Sequence, residues 1–377
     1  MILVASNPFK GTLSSVRATQ AIANGLRRAS PGLAVELLPL SDGGCCFLTV
    51  LRRLQTGLRR RQTNVRPLVG KRVTVRFLES EAGTAYAEMA TVAGLHLIPE
   101  AARQPAHLSS RPVGELLHKL AAEPHIRTIV LGLGDTATMD GGAGLLHGLG
   151  VKLLASDGTA VAPGNVGLGQ VSKLDLTELS HYWQAFRARG GRLIGACDVR
   201  NPLLGPDGAV HTFALQKGAK PEELPELEAN MRHWAAFLEA TTGRQASQLP
   251  GAGAAGGVAF ALSAWAGAEL VSGTQWLTQL PAFQAVLDRA TAIFTGEGQL
   301  DRQSLNGKTT GVLAALGRSR NIPVVAFAGR VTLTADEWQE AGFTAVQELP
   351  PHPLNQAGRA LSACAAEAMT NLRSWTI

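Results

Sequence analysis

Thr128-Ile-Val-Leu131 followed by Gly132-Leu-Gly-Asp-Thr-Ala-Thr-Met-Asp-Gly-Gly142 is the stretch on which the reading of the fold turns. Three consecutive apolar residues after a β-branched threonine suit a strand covered on both faces, as in a parallel sheet. A polar, glycine-rich turn follows, and then a helical pattern from Ala143. The same unit recurs along the chain. Ile2-Leu-Val-Ala5 runs into Ser6-Asn-Pro-Phe-Lys10, and Val35-Glu-Leu-Leu-Pro-Leu40 into Ser41-Asp-Gly-Gly44. Leu193-Ile-Gly-Ala196 meets Cys197-Asp198, Ala292-Ile-Phe-Thr295 meets Gly296-Glu-Gly-Gln-Leu-Asp301, and Val324-Val-Ala-Phe327 meets Ala328-Gly-Arg330. Helical patterns fill 15–28, 143–150, 225–241, 258–268, 308–319 and 356–372. Strands alternating with helices predict an α/β protein with crossover connections. Ligands in such sheets bind outside the carboxyl ends of the strands, where these turns fall.

At ~150 residues per domain, 377 residues point to two domains. With 45% hydrophobic and 17% charged residues, the chain is too apolar and too weakly charged for disorder. Val73-Thr-Val-Arg-Phe-Leu78 and Thr84-Ala-Tyr-Ala-Glu-Met89 read as an antiparallel hairpin. No long linker is evident, so the expected arrangement is a discontinuous α/β domain of 1–71 and 287–377, with 72–286 inserted as a second α/β domain. Both sheets should be mainly parallel.

The formal charge is +6, from 35 basic and 29 acidic residues. Much of the excess lies in Arg52, Arg53, Arg59, Arg60, Arg61 and Arg66. No aromatic residues interleave to stack bases, so a solvated helix end is preferred to a nucleic-acid surface. Cys45, Cys46, Cys197 and Cys364 have neither zinc nor disulfide spacing. The apolar run at the N-terminus is too short for a signal-peptide core, which with the cysteines predicts a reduced, cytoplasmic protein. The uncharged stretch 245–268 contains Pro250 and several glycines and reads as a loop before a buried helix, with no membrane contact expected.

Lysine is scarce, yet Lys10, Lys217 and Lys308 all lie beside glycine in turns, which suits anion handling. Gly307-Lys308-Thr309 resembles the end of a P-loop, but Arg302 stands where the full motif needs glycine. The free N–H groups of a helix opening there still suit an anion. Pro250-Gly-Ala-Gly-Ala-Ala-Gly-Gly257 fits either an anion-binding loop or a tight packing turn. Gly132-Leu-Gly134-Asp-Thr-Ala137 with Asp157 matches a dinucleotide fingerprint on paper, although Met139 to Gly142 prolong the loop. Thr136, Thr138 and Asp140 better suit a metal–phosphate group or polar substrate. Asp42, Asp140, Asp198, Glu297 and Asp301 all fall at expected strand ends. Mg²⁺ takes one or two such acids plus phosphate oxygens, and phosphoryl transfer needs another to accept the hydroxyl proton. His96, His147 and His211 are isolated and read as structural or surface residues.

Taken together, these segments resemble the bacterial type 1 glycerate kinases. The likeness runs in order through Phe9-Lys10, Ser41-Asp-Gly-Gly44, Glu88-Met-Ala90, Gly114-Glu115, Ala137-Thr138 with Asp140 to Gly144, Cys197-Asp198 with Asn201-Pro202, Gln216 to Ala219, Pro250 to Gly257, Thr295 to Gly298 with Asp301, and Gly307 to Thr309. The resemblance implies transfer of the ATP γ-phosphoryl group to D-glycerate, giving 2-phospho-D-glycerate, with ATP and Mg²⁺ as cofactors. It also implies a site in the cleft between two α/β domains and a monomer or homodimer. Asp198, Lys10, Asp42 and Glu297 are then the catalytic candidates, with Asp198 as base and Asp42, Asp198 and Glu297 as metal ligands. Gly134, Thr136, Thr138, Asp140, Gly253, Gly256 and Lys308 are assigned to the nucleotide, and Lys217, Asn201 and Asp301 to the substrate. The family usually has Asp at Asn7, an acid then Gly at Cys45-Cys46, Gly then Ser at Asp135-Thr136, Asn at Met139, and Tyr-Gly at Arg111-Pro112. A dinucleotide-dependent oxidoreductase and a non-catalytic anionic-metabolite-binding homologue are the alternatives.

Overall fold

In a computed structural model of the chain, residues 1–9, 11–41, 43–44, 46–305 and 307–375 are described, residues 372–375 by backbone alone. Among them run thirteen strands: β1 (Ile2–Val4), β2 (Val35–Leu37), β3 (Arg59–Val65), β4 (Val73–Glu79), β5 (Thr84–Glu88), β6 (Thr128–Gly132), β7 (Lys152–Leu154), β8 (Lys173–Asp175), β9 (Arg192–Ala196), β10 (Glu269–Val271), β11 (Ala292–Leu300), β12 (Val324–Val331) and β13 (Ala345–Glu348). The chain divides into two compact units. One comprises Met1–Asp42, Thr49–Thr56 and Ser272–Ile377; the other comprises Gly43–Leu48 and Gly57–Val271.

The first unit carries a five-stranded sheet in the order β13-β12-β11-β1-β2, parallel throughout. In the unit's own chain order this is 5-4-3-1-2, so sheet growth reverses direction between β1 and β11. Such a reversal leaves a crevice at the carboxyl ends of the two strands. The apolar runs that predict these strands are buried, from Ile2 to Ala5 and from Ala292 to Phe294. Helix Ser15–Ala29 is capped by the Ser14 side chain, which accepts from the Arg17 N–H. It packs on helix Ala357–Trp375 so closely that a Cβ on Gly25 would lie 2.1 Å from the Ser362 carbonyl oxygen.

The second unit carries a six-stranded sheet, β10-β9-β6-β5-β4-β3, and an antiparallel ribbon of β7 and β8. β5, β6, β9 and β10 are parallel and follow one another in a single direction, without reversal. The expected hairpin is present, with β4 antiparallel to β5. β3 adds an antiparallel edge that the sequence reading assigned to a helix end. Arg52 and Arg53 do close helix Phe47–Leu54, but Arg59, Arg60 and Arg61 lie on β3. Exposed arginines on an edge strand discourage pairing with another chain, which is why a basic run is tolerated there. Helix Val258–Ala266 is buried almost throughout, as the uncharged stretch predicts. Among the described residues no helix is long and apolar enough to cross a membrane.

Candidate active site

Candidate residues gather into one cluster in each unit. In the first unit they stand at the strand-order reversal. Asn7 follows β1, and its N–H donates to the Gly296 carbonyl of β11 at 3.0 Å. Thr295 and Glu297 alternate with Gly296 and so face the same side of the sheet. Glu297 is buried, and its carboxylate accepts a short hydrogen bond from the Thr310 hydroxyl. Burial pushes the Glu297 carboxyl above its ordinary range; the Thr310 bond and the Lys308 charge pull the other way. Lys308 precedes helix Thr309–Arg320, whose first N–H groups have no partner within the helix. Its Nζ lies 3.9 Å from Asp301.

Three side chains brace this cluster. Thr309 donates its hydroxyl to Asn7 Oδ1 at 3.1 Å. The Thr274 and Thr309 hydroxyls are hydrogen-bonded to each other at 2.9 Å. Thr274 and Thr309 were not among the sequence-derived candidates. The signal for Thr309 was present in its position directly after Lys308, at the start of a helix. Asp301 accepts from the Ser304 N–H at 3.0 Å and from the Gln299 side chain at 3.3 Å. It therefore caps its own short helix, Arg302–Leu305.

The second unit's cluster forms where two glycine loops pack backbone on backbone. The Gly141 N–H donates to the Gly256 carbonyl at 2.9 Å. A Cβ on Gly256, at φ +65°, would fall 2.0 Å from the Thr138 carbonyl oxygen. Gly253 similarly abuts the Pro202 carbonyl, and its N–H donates to the Asn201 carbonyl at 3.0 Å. Asn201 spends its side-chain amide on the Asp207 carbonyl at 2.7 Å. Gly134 has no room for a Cβ because Gly44 Cα would be 2.4 Å away. At Gly134, Gly253 and Gly256 a side chain is thus excluded by packing, whatever ligand their backbone meets.

Asp140 holds the loop in place from within. Its carboxylate accepts from the Ser110 N–H at 2.7 Å and hydroxyl at 2.9 Å, and from the N–H groups of Gly144 at 3.1 Å and Gly142 at 3.2 Å. Burial raises its pKa while these donors oppose the shift. A carboxylate so fully engaged positions the loop; Ser110, its main donor, was not anticipated.

Lys217 is buried at the end of the turn Leu215–Lys217. Its Nζ donates to the Thr138 carbonyl at 2.9 Å and reaches the Thr136 hydroxyl at 3.4 Å. Both partners are neutral, and among the described residues no carboxylate lies within ion-pair distance. Desolvation lowers its pKa to about 7, against the more distant attraction of Asp140. The Thr138 hydroxyl, on the same loop, is buried without a hydrogen-bond partner.

Asp198 is buried just beyond β9, in the second unit, whereas Glu297 is in the first. Lys10, Asp42 and Cys45 lie outside the described residues. Glu88, ending β5, is a half-buried acid that the sequence reading quoted only as part of a motif. It accepts from the Leu48 N–H at 2.8 Å, and burial raises its pKa. The departures from the family pattern also find places. Cys46 at φ +78° and Asp135 at φ +57° adopt left-handed backbone where the resemblance has glycine, at a cost of ~1–2 kcal/mol each. Met139 belongs to the second unit's core. Arg111 and Pro112 begin helix Arg111–Ala121, where proline is well tolerated. The loop from Gly132 does not become helical until Ala143, and the Asp157 carboxylate is taken by the Thr159 N–H and hydroxyl.

The first cluster has the composition a nucleotide's metal–phosphate group requires. Besides Glu297 and Lys308, it offers the buried hydroxyl of Thr295, which has no partner; Ser41, elsewhere in the same unit, carries another. Among the described residues no trio of His, Cys, Asp or Glu could hold a metal alone. Mg²⁺ does not need one, since phosphate and water oxygens complete its shell.

The glycerate kinase family model matches residues 2–376. A glycerate kinase of Bacillus subtilis (strain 168) is 34% identical over 351 residues, covering 93% of this chain and 90% of that protein. The glycerate 2-kinase of Escherichia coli (strain K12) is 34% identical over 346 residues, covering 92% and 89%. A crystal structure from Salmonella typhimurium LT2, of a protein assigned as glycerate kinase 2, superposes with a TM-score of 0.75 at 31% identity, covering 100% of this chain and 98% of that one.

Proposed function

The chain belongs to the glycerate kinase family, and from that premise we propose that it transfers the γ-phosphoryl group of ATP, bound with Mg²⁺, to the 2-hydroxyl of D-glycerate. The products are ADP and 2-phospho-D-glycerate. The observation that carries this reading is Lys217, a buried cation that among the described residues faces only neutral oxygens. Such a group gains most from an anionic ligand, and the glycerate carboxylate would restore its charge balance in a desolvated setting. Thr138 offers its unpartnered hydroxyl to the same ligand.

Phosphoryl transfer asks the protein mainly for positioning and charge neutralisation. Glu297 and Thr295 would hold the metal–phosphate group, with Lys308 and the N–H groups opening helix Thr309–Arg320 on the phosphate oxygens. Bound ATP–Mg²⁺ supplies the transferred group and polarises it. Asp198 accepts the proton from the 2-hydroxyl as that oxygen attacks. Lys10 and Asp42 are assigned to phosphate neutralisation and metal binding from the sequence, by their residue types in glycine-flanked turns and by the resemblance.

An ADP-release assay over a panel of small hydroxy acids, with phosphorus NMR of the product, tests the proposal. D-Glycerate should stimulate ADP release and yield the 2-phosphate. Turnover giving the 3-phosphate would overturn the regiochemistry, and ligand binding without ADP release would support a non-catalytic homologue. Asp198→Ala should lower kcat by about 10³-fold with the fold intact, in the range for loss of a general base. Near-normal turnover would remove Asp198 from the mechanism.

A further inference from the structure

Away from the candidate site, two concavities of the second unit adjoin. One is a chamber of about 80 Å³ walled largely by apolar groups, among them Ala143, Leu153, Val161, Pro163 and Leu168. The other is an open dish of about 450 Å³ containing Arg111, His118 and His181. His147 and Lys152 line both, so an apolar chamber and a cationic dish share one rim. His147, isolated in the sequence, thus has basic company in space.

We propose that this is a binding site for a small organic anion with a short apolar tail, its carboxylate or phosphate head held by Lys152, His147 and Arg111. The chamber is about half the ~150 Å³ that accommodates a benzene ring, room for roughly three or four carbons. Each permanent cation at the rim has one carboxylate partner: Arg111 lies 3.5 Å from Glu115, and Lys152 pairs with Glu178. Further charged neighbours include Lys119, beside His118, and Asp175, which lies beside both Lys152 and Lys173. Among these groups the imidazoles of His118 and His147 add positive charge to the rim when protonated. Burial first, and then neighbouring cations, hold His118 and His147 below the ordinary histidine range. An arriving anion favours their protonated forms, so affinity should rise as the pH falls. The chamber wall includes Gly144, whose N–H donates to Asp140, so the site borders the bracket that fixes the Thr136–Thr138 loop.

Titration of the intact protein with monobutyl phosphate, inorganic phosphate and 1-butanol, read by calorimetry and by the His147 imidazole signals, tests the proposal. Monobutyl phosphate should bind at least about tenfold more tightly than inorganic phosphate, as burial of a few methylenes allows. 1-Butanol should not bind, and the monobutyl phosphate affinity should be higher at pH 6 than at pH 7.5. Lys152→Gln should weaken both anions, and Ala162→Leu, which fills the chamber, should erase only the advantage of the butyl group. Unchanged ADP release without probe would show that both variants fold. Equal affinities for the two phosphates, binding that survives Lys152→Gln, or binding abolished by Lys217→Met with the His147 signals unmoved would each overturn it.

Discussion

The two units handle negative charge with opposite devices. In the first, the reversal between β1 and β11 provides a crevice, and polar side chains at the strand ends and a helix start furnish it. Its buried charge is an anion, Glu297, bonded to the Thr310 hydroxyl and opposed by Lys308. In the second, the parallel strands never reverse, and the cluster is made by two glycine loops pressed together. Beside the Asp140 carboxylate, whose bonds are filled by loop donors, it buries a cation, Lys217, without an ion-pair partner among the described residues. Where topology leaves a gap, ordinary side chains suffice; where it does not, glycine lets the backbone approach closely enough to place a carbonyl on the ammonium.

The largest expected effect is on the anionic side. Glu297→Gln should lower kcat by about 10³-fold, comparable to losing a group that stabilises transition-state charge. The melting temperature should hold or rise, because the folded state disfavours the ionised carboxyl. A lower melting temperature with retained activity would reverse the role assigned to Glu297.

Lys217→Met should raise the KM for D-glycerate by about 10²-fold, as expected for loss of one partner of a desolvated charge pair. The linkage has a defined sign. The folded pKa of Lys217 is about 7, below the ~10.4 of an unfolded lysine. Between those values the unfolded chain binds more protons, so the wild-type protein gains stability as the pH rises through that window. That part of the pH dependence should vanish in Lys217→Met, which thermal melts from pH 6 to 10 would reveal.

Glycine substitutions sharpen the contrast between the clusters. Gly256→Ala combines a left-handed φ with a 2.0 Å approach to the Thr138 carbonyl, and should cost on the order of 3 kcal/mol and displace the Lys217 partner. Gly307→Ala meets nothing within 4 Å and carries only the backbone cost, ~1 kcal/mol. Chemical denaturation should rank them in that order. A pair of threonine changes completes the series at the small end. Thr309→Val breaks the Thr274–Thr309–Asn7 chain and should cost about 1 kcal/mol. Thr138→Val removes a hydroxyl that has no partner, so stability should hardly change while D-glycerate affinity falls.

The fold was legible because buried parallel strands write unbroken apolar runs, and those around Leu3, Val130, Ile194, Phe294 and Val325 all became strands. β3 was not legible. Its Arg59-Arg60-Arg61 start lacks the apolar residues that mark a strand, since an edge strand exposed to solvent needs few. The short ribbon β7–β8 was missed for want of length. Within the second cluster, sequence assigned Thr136, Thr138 and Asp140 to the nucleotide and Lys217 to the substrate, whereas the structure brings all four to one place. It could not separate Asp140, which braces the loop, from Lys217, which confronts neutral oxygens, because that distinction depends on Ser110 and Gly144 filling the carboxylate's bonds. Likewise the sequence could not show that Gly253 and Gly256 lie against the Pro202 and Thr138 carbonyls, a contact that leaves no room for a Cβ at either position.

The most direct measurement is calorimetry of D-glycerate binding at pH 8 in two buffers of different ionisation enthalpy. If Lys217 receives the carboxylate, binding should take up nearly one proton per site, because the ammonium must be recharged to pair with it. Lys217→Met should abolish the uptake and most of the affinity. Binding without proton uptake, and of unchanged strength in the variant, would contradict the account.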